Sequence, residues 1–280
     1  MPSAHFDEEK RQVSSTYSMA GKVAFITGGG TGIGEAVAEQ FAAAGGRVVV
    51  MGRRLARVQP VAERLGGLAV AGDAACTDDV RRAIAAAREK FGSIDVLVAN
   101  AGGHGVGDAL ATDDAAWAEA TRLNLDTAFV CARELLPELI EQRGNIVVVS
   151  SIAGHFAPPC VVGYVTMKHA LIGLVRSLAR DYGKQGIRVN AVCPGWVRTE
   201  MADEQMQMLT EKFRLADKAA AYELVTRDVP LRRAANPEDV ANAVLFLASP
   251  LASMITGSSL MVDGGASAVD LPSIIFDHIE

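Results

Sequence analysis

Short runs rich in valine and isoleucine alternate along this chain with longer segments that have helical spacing. The apolar runs lie at residues 22–27, 47–51, 68–71, 94–99, 145–150, 187–192 and 259–262. Most of the gaps between them hold segments rich in Ala, Leu, Glu and Arg, at residues 32–44, 54–65, 77–91, 112–143, 160–183 and 237–248. Strands that alternate with helices in this way form right-handed βαβ units. The sequence therefore predicts an α/β fold with a doubly wound, seven-stranded parallel sheet in a single domain.

The ends of the chain and one internal stretch depart from this alternation. Residues 1–20 are polar and charged, with no apolar run of the kind found in secretory signals, and we expect a disordered arm there. The predicted domain covers residues 21–267, and residues 268–280 form a C-terminal tail. A long, Met-rich helical stretch at about 199–228 follows a strand end, where open α/β sheets bind ligands. We expect this stretch to be a lid over a substrate site.

Composition argues against several classes of function. The net charge is −6 and Lys and Arg form no long cluster, so we expect no nucleic-acid partner. The four cysteines lie far apart without a CxxC pair, which indicates free thiols in a reducing cytosol rather than a metal site. Residues 145–167 are uncharged and long enough to span a bilayer, but Pro158 and Pro159 would break a spanning helix. We expect a soluble, cytoplasmic protein.

A glycine-rich turn joins the first predicted strand to the first helix. The sequence "TGGGTGIG" places Gly28, Gly32 and Gly34 at this turn. Backbone amides at a helix N-terminus bind phosphate, and glycine lets a pyrophosphate approach closely. The spacing differs from GxGxxG, and a P-loop is excluded because no Lys-Ser or Lys-Thr follows the last glycine. Taken alone, the turn is also compatible with a tight turn that binds nothing.

Tyr164 and Lys168 are four residues apart in a predicted helix, so they share one helix face. Taken alone, such a pair is more often an incidental surface contact than a catalytic one. Tyrosine has an ordinary pKa of about 10, and a cation within about 4–6 Å lowers the pKa of an acid. The spacing therefore allows acid–base chemistry without requiring it.

Seven motifs in order resemble the short-chain dehydrogenase/reductase family in its single-domain form. They are "TGGGTGIG" at 27–34, "NAGG" at 100–103, Asn124 in "LNLDTAF", Ser151 in "VVSSIAG", Tyr164 with Lys168, "PGWVRTEM" at 194–201 and "VDGG" at 262–265. The match covers about residues 20–266, and within the family the sequence is similar to 3-oxoacyl-(acyl carrier protein) reductase-like members. The resemblance implies a Rossmann fold and hydride transfer between a nicotinamide cofactor and a ketone or secondary alcohol.

The resemblance also implies roles for single residues. Tyr164 would be the general acid/base, with its pKa lowered by Lys168. Ser151, thirteen residues earlier, would orient the substrate oxygen, and Asn124 would hold a proton-relay water near Lys168. Taken alone, Asn124 would be an ordinary polar residue of a helix. The cofactor-binding residues that the resemblance implies are Gly28, Thr31, Gly32, Ile33, Gly34, Arg53, Arg54, Asp73, Ala74, Asn100, Gly102, Tyr164, Lys168, Pro194, Val197 and Thr199.

The end of the second predicted strand bears on which cofactor is used. An acid there selects the free 2′-hydroxyl of NAD, whereas Arg accommodates the 2′-phosphate of NADP. Gly52 stands where NAD-selective members have Asp, and Arg53 and Arg54 follow it. We expect NADP(H) rather than NAD(H). The alternative is that the two arginines only solvate the strand end, and Thr31 replaces the basic residue that the family has before its second motif glycine.

The residues expected to frame the substrate pocket are mostly apolar. They are the loop 152–162, residues 103–106, and Met201, Met206, Met208, Leu209 and Phe213 of the lid. Because methionine lines adaptable surfaces, we expect an apolar ketone or secondary alcohol, although helix-core packing accounts equally well for some of these methionines. We expect His104 and His155 at the pocket rim. The alternatives are an NAD-dependent alcohol, sugar or steroid dehydrogenase, a 3-oxoacyl thioester reductase, and a catalytically silent NADP-binding regulator.

Two helical regions and the tail suggest self-association. Residues 112–143 and 160–183 are apolar on more than one face, as in family members that form tetramers through four-helix interfaces. We expect a homotetramer. Exposed apolar residues of the tail would be unfavourable in water, so we expect them to pack against a neighbouring subunit or its lid. These residues are Leu271, Ile274, Ile275 and Phe276.

Overall fold

The computed structural model describes residues 17–278 and places seven strands in one parallel sheet. The strands are β1 Val23–Thr27, β2 Arg47–Gly52, β3 Leu68–Ala71, β4 Val96–Ala99, β5 Asn145–Val149, β6 Arg188–Pro194 and β7 Ser259–Val262. Their order is β3-β2-β1-β4-β5-β6-β7, and each neighbouring pair is parallel. The predicted doubly wound sheet is confirmed. Its strand order reverses between β1 and β4, the point at which such sheets bind ligands.

The helices lie in two layers, one on each face of the sheet. They are α1 Gly32–Ala43, α2 Leu55–Arg64, α3 Thr77–Phe91, α4 Asp114–Thr121, α5 Thr127–Gln142, α6 Val162–Tyr182, α7 Glu200–Phe213, α8 Lys218–Thr226 and α9 Pro237–Ala248. Successive strand residues point to opposite faces. Val23 and Phe25 of β1 therefore pack with α3, α5 and α6, whereas Ala24 and Ile26 pack with α1, α2 and α9. Because β1 is buried on both faces, its residues 23–26 form a continuous apolar run, which ends at the buried Thr27.

The long helix predicted at 112–143 is interrupted. Asp113 caps α4 by accepting a hydrogen bond from the Ala116 amide at 2.8 Å, and α4 is followed by a π-helical turn at Arg122–Asp126 before α5 begins. The Thr127 hydroxyl lies 3.1 Å from the Leu123 carbonyl and 3.0 Å from the Ala101 carbonyl, outside the helix. A π-turn is often found at functional sites. Here it faces the loop that follows β4.

The predicted N-terminal arm, residues 1–20, lies mostly outside the described residues. Its end does not: Met19 is 1% exposed, its amide donates to the Ala44 carbonyl at 2.8 Å, and it packs with α1. The packed domain therefore begins before residue 21. At the other end, residues Leu271–His278 form a 3₁₀ helix in which Leu271 and Phe276 are exposed.

The predicted lid consists of α7 and α8, which form a small core of their own. Met206 is fully buried there and packs with Tyr222, whose hydroxyl donates to Asp203 at 2.9 Å. Thr199 caps α7, with its hydroxyl accepting from the Ala202 amide at 3.3 Å. The lid therefore begins directly after β6, at the ligand-binding edge of the sheet.

No helix among residues 17–278 is long and apolar enough to cross a membrane. In the same part of the chain, no group of three or more His, Cys, Asp or Glu side chains is arranged to hold a metal ion.

Candidate active site

A cleft of about 300 Å³ opens at the carboxyl ends of β1 to β5. Many of the residues singled out in the sequence line it. These are Gly28, Thr31, Gly32, Ile33, Arg53, Arg54, Asp73, Ala74, Asn100, Gly102, Asn124, Tyr164, Lys168 and Thr199. The fold thus brings the glycine turn and the Tyr164–Lys168 pair into one cavity, although more than 130 residues of chain separate them.

Four of the singled-out residues lie outside the lining. Gly34 is packed so tightly that an added Cβ would lie 2.3 Å from the Gly28 carbonyl oxygen, so its glycine is needed for packing of the turn. Pro194 is buried, and Val197 is 6% exposed in the layer that contains α1 and α9. Ser151 lies behind the lining, beside Tyr164.

The Lys168 side chain is buried beneath the cleft. It is 6% exposed, and its ammonium group donates to the Val149 carbonyl at 3.2 Å, while lying 5.5 Å from the centre of the Tyr164 ring. Burial disfavours the charged form and lowers the pKa of Lys168 to about 8. At neutral pH the group is still mostly protonated, so it supplies a positive charge next to the phenol.

The pKa of Tyr164 departs from expectation. Burial around its hydroxyl is the largest influence and raises the pKa of the phenol, and the neighbouring Ser151 side chain only partly opposes this. The expected lowering by Lys168 is not found, because the cost of removing a phenolate from water decides the direction of the shift. Tyr164 is therefore protonated at neutral pH, the state in which it can donate a proton.

The two adjacent serines at the end of β5 have different environments. Ser150 is 4% exposed, and its hydroxyl donates to the Lys168 carbonyl at 3.1 Å, which ties β5 to α6. Ser151 caps a short 3₁₀ turn by accepting from the Ala153 amide at 3.1 Å, and its side chain interacts with Tyr164. Only Ser151 therefore has its hydroxyl at the phenol.

Asn124 lies within the π-turn and is 1% exposed. Its amide group donates to the Ala120 carbonyl at 3.1 Å and to the His104 carbonyl at 3.4 Å, and its oxygen accepts from the Gly103 amide at 3.2 Å. These bonds fix the loop that follows β4 against the π-turn. A Cβ added at Gly102 would lie 3.4 Å from the Asn124 oxygen and 3.7 Å from the Lys168 ammonium, so the gap between the two polar groups borders Gly102.

The glycine turn has features that suit a phosphate group. Gly28 and Gly32 have φ angles of +65° and +55°, which favour glycine. Thr31 occupies the N-cap position of α1, but its side chain makes no capping hydrogen bond. First-turn amides of α1 therefore face the cleft without a side-chain acceptor, as anion binding requires. Asn100 holds the turn in place by donating to the Thr27 and Gly28 carbonyls at 3.0 and 3.2 Å.

The end of β2 forms a cationic edge of the cleft. Arg53 and Arg54 are exposed, and within residues 17–278 neither forms an ion pair. After the end of β3, the neighbour of β2, Asp73 accepts a hydrogen bond from the Ala75 amide at 2.9 Å and pairs with Arg122 of the π-turn. The residues present thus fit a dinucleotide: amides for a pyrophosphate and free guanidinium groups for a further phosphate.

Three charged residues of the site were missed in the sequence. Arg57 and Glu200 line the cleft and pair across it, and Arg122 holds Asp73. The signal for Arg57 was its position one helical turn after Arg54, in the first turn of α2. Glu200 and Arg122 gave no such signal, because their partners lie 143 and 49 residues away in the chain.

The expected pocket rim is only partly found. His104 lies 3.6 Å from Glu204 of the lid, a contact that becomes an ion pair when the imidazole is protonated. His155 does not line the cleft, and burial together with Arg176 and His169 lowers its pKa. Of the lid residues expected in the pocket, Met201 lines the cleft, whereas Met206 and Leu209 belong to the core of the lid.

Comparison with known proteins agrees with this geometry. The family model described as enoyl-(acyl carrier protein) reductase matches residues 28–267. "Protein MoaE" of Klebsiella aerogenes is 46% identical over 91% of this chain and 99% of its own length.

Two solved structures share the fold over nearly their whole length. L-sorbose reductase from Gluconobacter frateurii, complexed with NADPH and L-sorbose, is 32% identical with a TM-score of 0.85, over 91% of this chain and all of that one. A 3-ketoacyl-(acyl carrier protein) reductase from Brucella melitensis, complexed with NADH, is 34% identical with a TM-score of 0.79, over 89% and 100%. With a family model over most of its length and relatives aligned end to end, this chain belongs to the short-chain dehydrogenase/reductase family of oxidoreductases.

Proposed function

We propose that this protein is an NADP(H)-dependent oxidoreductase that interconverts a small ketone and its secondary alcohol, with Tyr164 as the general acid/base. The observation that carries the proposal is a single cleft lined both by Tyr164 and Lys168, with Ser151 beside the phenol, and by the start of α1, where the Thr31 side chain makes no capping hydrogen bond. A nicotinamide cofactor supplies or accepts the hydride when bound. The chain itself has to bind the substrate oxygen and move one proton.

The proton step assigns a role to each polar group. In the reductive direction the O–H bond of Tyr164 breaks and its proton passes to the substrate oxygen, while the Ser151 hydroxyl donates a hydrogen bond to the same oxygen. The Lys168 ammonium stabilises the phenolate that remains, since a positive charge within a few ångströms favours the ionised form. Asn124 fixes the loop around Gly102, beside the path by which the phenolate regains a proton.

The cofactor preference rests on the end of β2. Arg53 and Arg54 would hold a 2′-phosphate, since guanidinium groups bind phosphate bidentately. No carboxylate stands at Gly52, where an acid would repel that phosphate. The similarity to solved structures with NADPH and with NADH is compatible with either cofactor, so the preference depends on these two arginines.

The substrate class is proposed from the cleft. Leu123 and Met201 give its walls an apolar component. Among the described residues that line the cleft, the cation beside Tyr164 is Lys168, which is assigned to the proton step, and the arginines lie at the edge assigned to the cofactor. We therefore favour an uncharged, apolar ketone. A ketose is the second candidate, because L-sorbose reductase is similar over its whole length and because His104 and Glu204 make one rim polar.

One set of assays tests this function. Turnover should be measured with NADPH and with NADH on apolar ketones, ketoses and 3-oxoacyl thioesters. The proposal expects faster turnover with NADPH and on apolar ketones. Turnover restricted to ketoses would select the ketose as the substrate class. The lack of any turnover with either cofactor would contradict the proposed enzymatic function.

We also propose a homo-oligomeric, cytoplasmic protein. Several large apolar side chains of α4, α5 and the tail are exposed in the single chain, including Trp117, Phe129, Leu271 and Phe276. Such side chains are unfavourable in water unless covered. Sedimentation at micromolar concentration tests the assembly, and a monomer at that concentration would contradict it.

A further inference from the structure

Arg57 and Glu200 form an ion pair across the mouth of the cleft. The guanidinium nitrogens of Arg57 lie 3.0 and 3.4 Å from the two carboxylate oxygens of Glu200, so the pair is bidentate. Arg57 belongs to the first turn of α2, and Glu200 is the first residue of the lid helix α7. The pair therefore joins the cationic edge of the cleft to the start of the lid.

The backbone of Arg57 and the side chain of Thr199, which precedes Glu200, both pack against the glycine turn. A Cβ added at Gly30 would lie 3.0 Å from the Arg57 carbonyl oxygen, and one added at Gly32 would lie 3.1 Å from the Thr199 side chain. Arg57 follows Arg53 and Arg54 closely in the chain, in the first turn of α2, and all three arginines line the cleft. Arg57 is thus held at the same edge as the two arginines proposed to bind a 2′-phosphate.

The Glu200 carboxylate is bound to Arg57 in a way that allows another anion to replace it. The side chains of Arg57 and Glu200 are 46% and 61% exposed, and ion pairs in this setting contribute little to stability. A phosphate group carries more charge than a carboxylate and also binds an arginine through two parallel hydrogen bonds. A 2′-phosphate at this edge would therefore displace the carboxylate from the guanidinium, and it would be repelled by the carboxylate if that stayed in place.

We propose that Arg57 is a further specificity residue for the cofactor, held by Glu200 until a 2′-phosphate takes the place of that carboxylate. Binding of the phosphorylated cofactor then frees the first turn of the lid helix, whereas the cofactor without this phosphate leaves the Arg57–Glu200 pair intact. Glu200 thereby lowers the affinity for the 2′-phosphate and couples cofactor choice to the lid. The inference rests on the proposed use of NADP(H).

The experiment uses two probes that lack nicotinamide, adenosine 2′,5′-bisphosphate and 5′-AMP, with dissociation constants measured by calorimetry on the full-length protein. We expect Glu200→Gln to tighten binding of the bisphosphate about two- to fivefold, the size of an exposed ion pair, and to leave AMP nearly unchanged. Arg57→Ala should weaken the bisphosphate about tenfold or more and AMP far less. In an Arg57→Ala background, Glu200→Gln should tighten binding of the bisphosphate less than it does in the unaltered protein, because only the repulsion by the carboxylate is left to remove.

Glu204→Gln is the matched control. It removes the same charge one turn further along the same face of α7, but its partner is His104 rather than an arginine of the cationic edge. We expect it to leave the ratio of the two dissociation constants unchanged. The proposed exchange is wrong if Glu200→Gln and Glu204→Gln change this ratio equally, or if Glu200→Gln does not change it.

The outcomes separate this inference from the proposed function. If the unaltered protein binds AMP as tightly as the bisphosphate, the proposed NADP(H) preference fails and the exchange fails with it. If the unaltered protein prefers the bisphosphate but Glu200→Gln does not change that preference, only the exchange fails. Both side chains are exposed, so the variants should fold, and thermal melting of each variant checks this.

Discussion

The ammonium group of Lys168 lies 5.5 Å from the centre of the Tyr164 ring, and both polar groups are withdrawn from water. Burial shifts their two pKa values in opposite directions, raising that of the phenol and lowering that of the amine to about 8. The site therefore holds a protonated acid next to a cation that loses its proton readily. This pairing suits delivery of a proton to a carbonyl oxygen followed by stabilisation of the phenolate.

Replacing Tyr164 with Phe should remove turnover and keep the fold. The phenol is the only proton donor that we assign to the substrate oxygen, and loss of a general acid lowers rates by about 10²- to 10⁴-fold. The ring itself is retained, so the cleft and its affinity for nucleotide should change little. Steady-state kinetics and calorimetric binding of the cofactor are the two measurements, and a near-normal rate would rule out the assigned role.

The adjacent serines give a second, internally controlled test. Ser151→Ala should lower kcat by about 10²-fold or more, since it removes the hydroxyl that we propose donates to the reacting oxygen. Ser150→Ala should leave kcat within a few-fold of normal, but it breaks the buried bond to the Lys168 carbonyl and should reduce the free energy of unfolding by about 1 kcal/mol. Kinetics and urea denaturation of both variants separate the roles. A rate loss confined to Ser150→Ala would reverse the assignment.

The sheet was predictable because its strands are buried on both faces. A doubly buried strand is apolar at nearly every position, as β1 and β5 are apart from Thr27 and Asn145 at their ends, so each one reads as a short Val/Ile run between helical segments. The glycine turn was predictable for a similar reason, since positive φ at Gly28 and Gly32 restricts the residue type.

Other features depend on contacts between distant parts of the chain. The π-turn at Arg122–Asp126 is followed by Thr127, whose hydroxyl donates to the carbonyl of Ala101, 26 residues away, and local helix propensity does not encode such a contact. Burial that raises the pKa of Tyr164 is a property of the assembled cleft. Met201 and Met206 belong to the same Met-rich stretch, and the sequence does not distinguish them. Met206 packs inside the lid, whereas Met201 lines the cleft.

The glycine turn offers a prediction about stability. Gly34→Ala would place a Cβ 2.3 Å from the Gly28 carbonyl oxygen and 2.6 Å from the Asn100 amide nitrogen, so the backbone of the turn would have to shift. We expect a loss of about 2 kcal/mol or more in the free energy of unfolding, together with weaker nucleotide binding.

Gly173→Ala is its control. Gly173 lies in the interior of α6, is exposed, and has open space where a Cβ would stand. Alanine is the better helix former, so this variant should gain about 0.5–1 kcal/mol. Chemical denaturation of both variants provides the measurement, and equal stability of the two would contradict the packing described for the turn.

The lowered pKa of Lys168 predicts how stability depends on pH. In the unfolded chain its amine titrates near 10.5, whereas in the folded protein it titrates at about 8. Between these values the unfolded state binds more protons, so this group makes the folded state more stable as the pH rises from about 8 towards 10. Below about pH 8 both states hold the proton and the cost of the buried charge is constant.

Lys168→Met removes this contribution while keeping a side chain of similar length. From pH 7.5 to pH 10 the unfolding free energy of the unaltered protein should therefore rise relative to that of the variant, by about 1–3 kcal/mol. Urea denaturation of both proteins at the two values measures the difference, and comparing them cancels groups that titrate identically in each. If the unfolding free energies of the two proteins changed in parallel over this pH interval, the Lys168 ammonium would be better solvated than its burial indicates. Lys168 would then not be a readily deprotonated neighbour of Tyr164.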